Sequence, residues 1–273
     1  MARGDLSARI AVAQTESELE QVALALNEGF DRLHRAADTQ RRFTADASHE
    51  LRTPLTTLRA QFDWALSRPR TSSEYEETLE TCRRTADRMT RIVDELLALA
   101  QGDATEQMRR DAIALQPVIE DVVRSLRPIA EAKDISIDTA MEPAHIVGDA
   151  TRLAEAISNV VKNAIEYNKN GGRISIDMRS DTTTVYFGVR DTGIGISPDD
   201  LPRVFDRFYR SDRARTWKSG GAGLGLAIAK NAIEDHGGTI ACRSELGVGT
   251  EVTVRLPVVP AVAMESRQRA GSI

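Results

Sequence analysis

Four short stretches of this 273-residue chain combine residue types that can do chemistry. The first is Phe43-Thr-Ala-Asp-Ala-Ser-His49-Glu50-Leu-Arg-Thr53-Pro54-Leu55. Apolar residues recur at Phe43, Ala47, Leu51, Leu58, Phe62 and Ala65, the spacing of one face of an α-helix. At about 100° per residue, His49 lies about 200° from both Ala47 and Leu51, so it points away from that seam. Thr53 shares the histidine's face, and Glu50 stands beside it. Pro54 has no N–H, so the carbonyl of Glu50 loses its helical partner and a bend is expected there. An outward imidazole flanked by an acid is a candidate nucleophile; for a lone histidine, a solvated surface side chain is the better explanation.

The other three stretches suit a nucleotide. Asn159-Val-Val-Lys-Asn163 puts two neutral amides four apart, on one helix face, where they could approach a phosphate-bound Mg²⁺. Asparagine pairs are also common at helix ends. Asp191-Thr-Gly193-Ile-Gly195 follows a strand pattern; its carboxylate could accept a hydrogen bond from an exocyclic amine such as adenine N6, and the glycines would let a base come close. A simple turn explains such a cluster about as well. Gly220-Gly221-Ala-Gly223-Leu224-Gly225 runs into a helix, whose N-terminal amides suit phosphate. It has no Gly-Lys-Ser/Thr and no strand leading directly into it, so it is neither a Walker loop nor a dinucleotide loop.

These stretches need a scaffold. A helical pattern over residues 17–67 is long for a globular helix and favours a coiled coil or bundle. After a break at Arg68-Pro69-Arg-Thr-Ser-Ser, Leu79, Cys82, Ala86, Met89, Val93, Leu96 and Ala100 step by three and four, a heptad seam. A hairpin with one apolar seam cannot bury it alone, which predicts a homodimeric four-helix bundle; packing on the chain's own second domain is the alternative. Gln101-Gly102-Asp-Ala-Thr reads as a linker. Beyond it, helices at 117–131, 150–167 and 222–236 alternate with strands at 135–139, 145–147, 173–179, 183–190, 239–244 and 250–256. This reads as helices on one face of a mixed sheet, an α plus α/β chain overall, with a disordered tail from about residue 258. A net charge of −5 argues against a nucleic-acid surface. Cys82 and Cys242 read as small core residues in a reducing compartment, and no run of apolar residues is long enough to span a bilayer.

In this order and spacing the stretches resemble the cytoplasmic part of a bacterial sensor histidine kinase with a Bergerat-type ATP domain. His49 to Leu55 is similar to the H box, Asn159 to Asn163 to the N box, Asp191 to Gly195 to the first glycine box, Phe205-Asp-Arg-Phe208-Tyr-Arg to the F box, and Gly221 to Gly225 to the second. The resemblance implies a HAMP-like C-terminal half at 1–38, a dimerisation and phosphotransfer hairpin at 39–103, and an ATP-binding α/β sandwich at 110–257. It implies ATP and Mg²⁺ as ligands, with Asn163 and Asn159 on the metal. Tyr167, Asp191, Gly193, Gly195, Arg207, Arg210, Gly221, Gly223, Leu224 and Gly225 join them around the nucleotide, with residues 211–221 as a lid. It implies phosphorylation of His49 with Glu50 taking its proton, transfer to an aspartate of a response-regulator receiver domain, and a Thr53 that orients water in the reverse, phosphatase reaction. In such proteins a sensor and a membrane segment come first; their absence here implies a fragment of a longer chain whose natural home is the inner membrane, with this part in the cytoplasm.

One position departs from the pattern. Where much of the family has a phosphate-binding lysine, this chain has Glu166, which must swing out or be compensated by Lys162, Arg207, Arg210 or Lys218. Two other functions compete. A clamp ATPase of the same superfold would place a glutamate base where Asn159 stands; a non-catalytic dimeric relay would have a decayed nucleotide site.

Overall fold

A computed structural model describes residues 18–103, 110–211 and 221–258. The chain divides into two compact units, residues 1–85 and 86–273. Helix α1, Glu18–Leu66, runs unbroken through Pro54, and α2 spans Ser72–Asp103. The stretch read as the start of a linker, Gln101-Gly102-Asp103, is still helical. Residues 1–17, the part of the HAMP-like segment that precedes α1, lie outside the described residues, as does the tail from 259. Among the described residues no helix is long and apolar enough to cross a membrane.

The connection between α1 and α2 is cross-braced. The Arg70 guanidinium lies 3.8 Å over the Trp64 ring, donates to Trp64 O at 3.1 Å and Ser67 Oγ at 3.2 Å, and faces Glu74 at 3.8 Å. Thr71 N–H donates to Glu74 Oε2 at 2.8 Å while Glu74 N–H donates to Thr71 Oγ1 at 3.3 Å, a reciprocal capping box that starts α2. These bonds from Thr71 hold the Glu74 carboxyl below its ordinary value.

The covered stripe of α2 differs from the one its spacing predicts. Thr78, Cys82, Ile92 and Leu99 are buried, with Thr85, Met89 and Leu96 half-buried between them. Cys82, Met89 and Leu96 thus fall on both stripes, but Leu79 and Val93 are 64% and 42% exposed. On α1, Phe62 and Leu55 are likewise exposed in the single chain. The stripe is rotated by one position because heptad steps of three and four are satisfied by two adjacent registers, and small polar threonines fill the inner one.

The remaining elements are β1 (Asp111–Ala114), α3 (Leu115–Glu131), β2 (Ser136–Met141), β3 (His145–Gly148), α4 (Ala150–Glu166), β4 (Arg173–Ser180), β5 (Thr184–Asp191), a 3-10 turn (Leu201–Arg203), α5 (Gly225–Asp235), β6 (Thr239–Glu245) and β7 (Gly249–Pro257). Five strands form a mixed sheet in the order β2-β4-β5-β7-β6, parallel only at β2–β4. Strand β1, unforeseen in the sequence, pairs with β3 in a two-stranded ribbon.

Alternation places Ile174, Ile176 and Met178 of β4 and Val185, Phe187 and Val189 of β5 on one buried face. They pack in one core with Ile119, Val123 and Leu126 of α3, Val161 and Ile165 of α4, and Ala229 and Ile233 of α5. Each such side chain contributes about 1.5–3 kcal/mol by leaving water. The opposite face is polar and held by exposed pairs such as Arg173–Asp138 at 3.1 Å and Arg190–Glu251 at 2.6 Å.

Helix α4, which carries both asparagines, is fixed at each end. At its start Asp149 Oδ1 accepts from the Thr151 and Arg152 N–H groups, and Asp149 N–H donates to His236 Nε2 at 2.9 Å. A Cβ on Gly148 would lie 2.1 Å from the His236 ring, so only glycine fits beside this buried imidazole. At its end Lys133 Nζ donates to the carbonyls of Ile165 and Glu166, both at 3.1 Å, satisfying orphan acceptors of the last turn.

Candidate nucleotide site and phosphoacceptor helix

On α1, His49 is exposed, as its helical phase requires, and so is Thr53 one turn on; Glu50 is half-buried. Thr53 Oγ1 donates to His49 O at 3.4 Å. The imidazole is therefore open to a reaction partner, and a carboxylate stands next to it in sequence.

In the second unit a cavity of about 680 Å³ opens beside α4. Asn159, Asn163, Tyr167, Asp191, Gly195, Arg210, Gly221, Gly223 and Gly225 line it, together with apolar Ile165, Ile194, Ile196, Leu226 and Val252. Residues expected around a nucleotide are thus brought together from α4, the end of β5 and the start of α5. Three of them are not on the wall. Gly193 acts through its backbone, Arg207 lies outside the lining, and the Leu224 side chain is wholly buried, leaving only its backbone to meet a ligand. Lys218 and residues 212–220 of the expected lid lie outside the described residues.

Asp191 ends β5, where Oδ1 accepts from Gly193 N–H at 2.8 Å and Thr250 N–H at 3.2 Å. Burial pushes its carboxyl up to about 6, against the pull of those two N–H groups. With Oδ1 held by backbone, Oδ2 is the oxygen placed to meet a donor inside the cavity.

Three of the glycines, Gly193, Gly195 and Gly223, are demanded by contact. A Cβ on Gly193 would lie 2.3 Å from Tyr167 O, and one on Gly195, at φ +67°, 2.0 Å from Glu245 O. Gly223, at φ +79°, lies against Tyr209 O, which explains why α5 begins at Gly225 and not at Ala222. A Cβ on Gly225 would sit 3.4 Å from Asn159 Oδ1, so the second glycine box lies directly over the N box.

Several site residues escaped the sequence reading. Gly249, φ +150°, lets β7 start against Asp191 O and delivers the Thr250 N–H. Ser244 Oγ accepts from Ile196 N–H and donates to Gly249 O, both at 2.8 Å, tying the base end together. The turn Leu246-Gly-Val-Gly-Thr250 was the available signal. Cys242 is half-buried, packed against the core and also on the cavity wall; burial, with Asp191 nearby, pushes its thiol up to about 11, so it stays protonated.

Glu166 does not swing out: it lines the cavity along with Lys162, Arg210 and Lys133. Burial raises the Tyr167 hydroxyl, with Glu166 adding and the hydrogen-bonded Arg210 opposing. The segment carrying Arg210 is braced by Asp200, which accepts from Ser197 Oγ and the Tyr209 hydroxyl, and by Arg203 stacked 4.3 Å over the Tyr209 ring.

Residues 39–105 match the His Kinase A (phospho-acceptor) domain, and residues 148–260 match the family described as histidine kinase-, DNA gyrase B- and HSP90-like ATPase. The chain is 34% identical over 254 residues to sensor histidine kinase CusS of Escherichia coli K12, covering 93% of this chain and 53% of that one. It is 34% identical over 246 residues to sensor histidine kinase YkoH of Bacillus subtilis, covering 89% and 53%. The chain thus spans about half the length of these curated relatives.

Among solved structures, full-length ShkA in complex with AMPPNP superposes with a TM-score of 0.60 at 25% identity, covering 81% of this chain and 46% of that one. Histidine kinase ThkA in complex with response regulator protein TrrA does so with a TM-score of 0.66 at 22% identity, covering 83% and 64%. The chain belongs to the sensor histidine kinases, with a phosphoacceptor helix region followed by an ATPase-type α/β domain.

Proposed function

We propose that this chain uses ATP to phosphorylate His49 and passes the phosphoryl group to an aspartate of a response-regulator receiver domain. One observation carries the reading: a half-buried carboxylate, two helix-borne amides and a glycine loop face one cavity, while a separate helix offers an exposed imidazole beside an acid. In the cavity Asp191 Oδ2 accepts from the adenine amine, and the amides at the start of α5 meet phosphate. The cavity fits Mg²⁺ in a limited way. Among the described residues no three His, Cys, Asp or Glu side chains could chelate a metal; Asn163, assisted by Asn159, would supply protein oxygen, with phosphate and water filling the other positions. When bound, that ion neutralises phosphate charge.

His49 Nε2 attacks the γ-phosphorus in line; the bond to the ADP oxygen breaks as the N–P bond forms, and Glu50 accepts the imidazole proton. The receiver aspartate then takes the phosphoryl group and leaves the imidazole free. Thr53, on the same face, is the residue we assign to orienting water in the reverse reaction. We read the exposed apolar stripe on α1 and α2 as the seam of a homodimer, and residues 1–38 as a signal-relay segment. The test is incubation with γ-labelled ATP and Mg²⁺. An acid-labile, base-stable label is expected on the parent and not on His49→Gln; steady phosphate release without label would favour a clamp ATPase and defeat this reading.

A further inference from the structure

Helix α2 contributes to the nucleotide cavity. Arg91, Asp94 and Glu95 belong to the same compact unit as the sheet and line its wall. Glu95 reaches the phosphate end: its Oε1 is the nearest group, at 3.8 Å, to where a Cβ on Gly221 would stand. Its Oε2 is buried without a hydrogen-bond partner. A carboxylate so placed is costly, since an unsatisfied buried acceptor loses its hydration for nothing in return.

The charges around it are divided. Arg91 on its own helix and Lys162 on α4 attract it, while Glu166 and Glu155 on α4 repel it. Asp94, Lys133, Asp191, Asp200, Tyr167, Tyr209, Arg210 and Cys242 complete the ionisable wall. Desolvation outweighs the attraction, and burial pushes Glu95 up to about 7. Nothing in the core requires this side chain, yet it stands where a polyphosphate would have to go.

We propose that Glu95 is a built-in competitor for the phosphate end of the cavity, holding α2 against the empty site until a nucleotide displaces it. The triphosphate then meets Lys162 and Arg91 in its place. This lets a cavity bearing Glu166 take a polyanion: the competing Glu95 carboxyl leaves the phosphate end as the ligand arrives. The inference rests on the nucleotide reading of the cavity.

The test measures binding of Mg²⁺·ATP and of adenosine to the whole chain by calorimetry, for the parent, Glu95→Ala and Glu95→Gln. Glu95→Ala is expected to tighten ATP by roughly three- to tenfold and leave adenosine unchanged, since one nearby charge acts only on phosphate. Glu95→Gln, which keeps the volume and loses the charge, should tighten ATP by no more than Glu95→Ala does. Both variants should melt at or above the parent temperature. Unchanged or weaker ATP binding, an equal gain for adenosine, or a lowered melting temperature would overturn the proposal while leaving the cavity a nucleotide site. Failure of the parent itself to bind either ligand would overturn both.

Discussion

The two halves of this molecule solve burial differently. The α/β unit closes its own core: three helices and one face of a five-stranded sheet leave Ile119, Leu153, Ile174 and Ile176 almost without exposure. The long helices instead leave Leu55, Phe62, Leu79 and Val93 in solvent, and within residues 18–85 of α1 and α2 only Pro54, Thr78 and Cys82 count as buried among the residues whose exposure is described. A self-contained core suits a site that must keep its shape, whereas an open stripe suits a rod whose packing is meant to be completed, and altered, by another chain. Chemistry follows the same division. Asp191 is fixed by backbone donors from two sides, while His49 stands exposed on its helix.

The comparison can be broken most forcefully in the sheet. Ile176→Ala should cost the α/β unit about 2–5 kcal/mol, seen as a lower denaturant midpoint. The double change Leu55→Glu and Leu79→Glu should leave that midpoint where it was and abolish self-association in sedimentation. If both changes lowered the same transition, the two regions would not be independent in the sense argued above.

A smaller effect sharpens the picture at Gly148. Gly148→Ala drives a methyl into the His236 ring and should cost about 1–3 kcal/mol. Combining it with His236→Ala should recover part of that loss, a non-additivity expected only for touching residues. The same imidazole gives a pH signature. Nδ1 faces Ala232 O at 2.6 Å and Nε2 accepts from Asp149 N–H, so the neutral ring is the one the fold wants, and burial lowers its proton affinity below the usual 6.5. The unfolded chain then binds the proton first as pH falls, so stability is complete above about 6.5 and declines below it. The midpoint-against-pH curve should flatten there in His236→Ala. Smallest of all, Thr71→Ala removes the cap of α2 and should lower hairpin stability by about 0.5–2 kcal/mol without touching nucleotide affinity.

Much of this architecture was legible because it is written in local period. The 49-residue α1, the helix with Asn159 and Asn163, and the alternating strands β4 and β5 declare themselves by spacing. The outward His49 follows from phase alone. What was not legible depends on neighbours distant in the chain. Strand β1 is four residues long and exists by pairing Asp111 with Gly148 and Ala114 with His145. Thr250 joins the site through an N–H directed at a carboxylate 59 positions earlier. The rotated stripe of α2 was ambiguous in principle, because both registers keep the heptad. Nothing in local spacing marks the Glu95 carboxylate, whose burial depends on the elements packed around it.

The braced corner at Trp64, Arg70 and Glu74 has a mechanical consequence. A loose connection would let one rod twist while its neighbour stayed still, dissipating any torque as slack. Stacking, the Arg70 hydrogen bonds and a reciprocal cap within a few residues shorten that slack, so the end of the first rod and the start of the second have little freedom to turn independently.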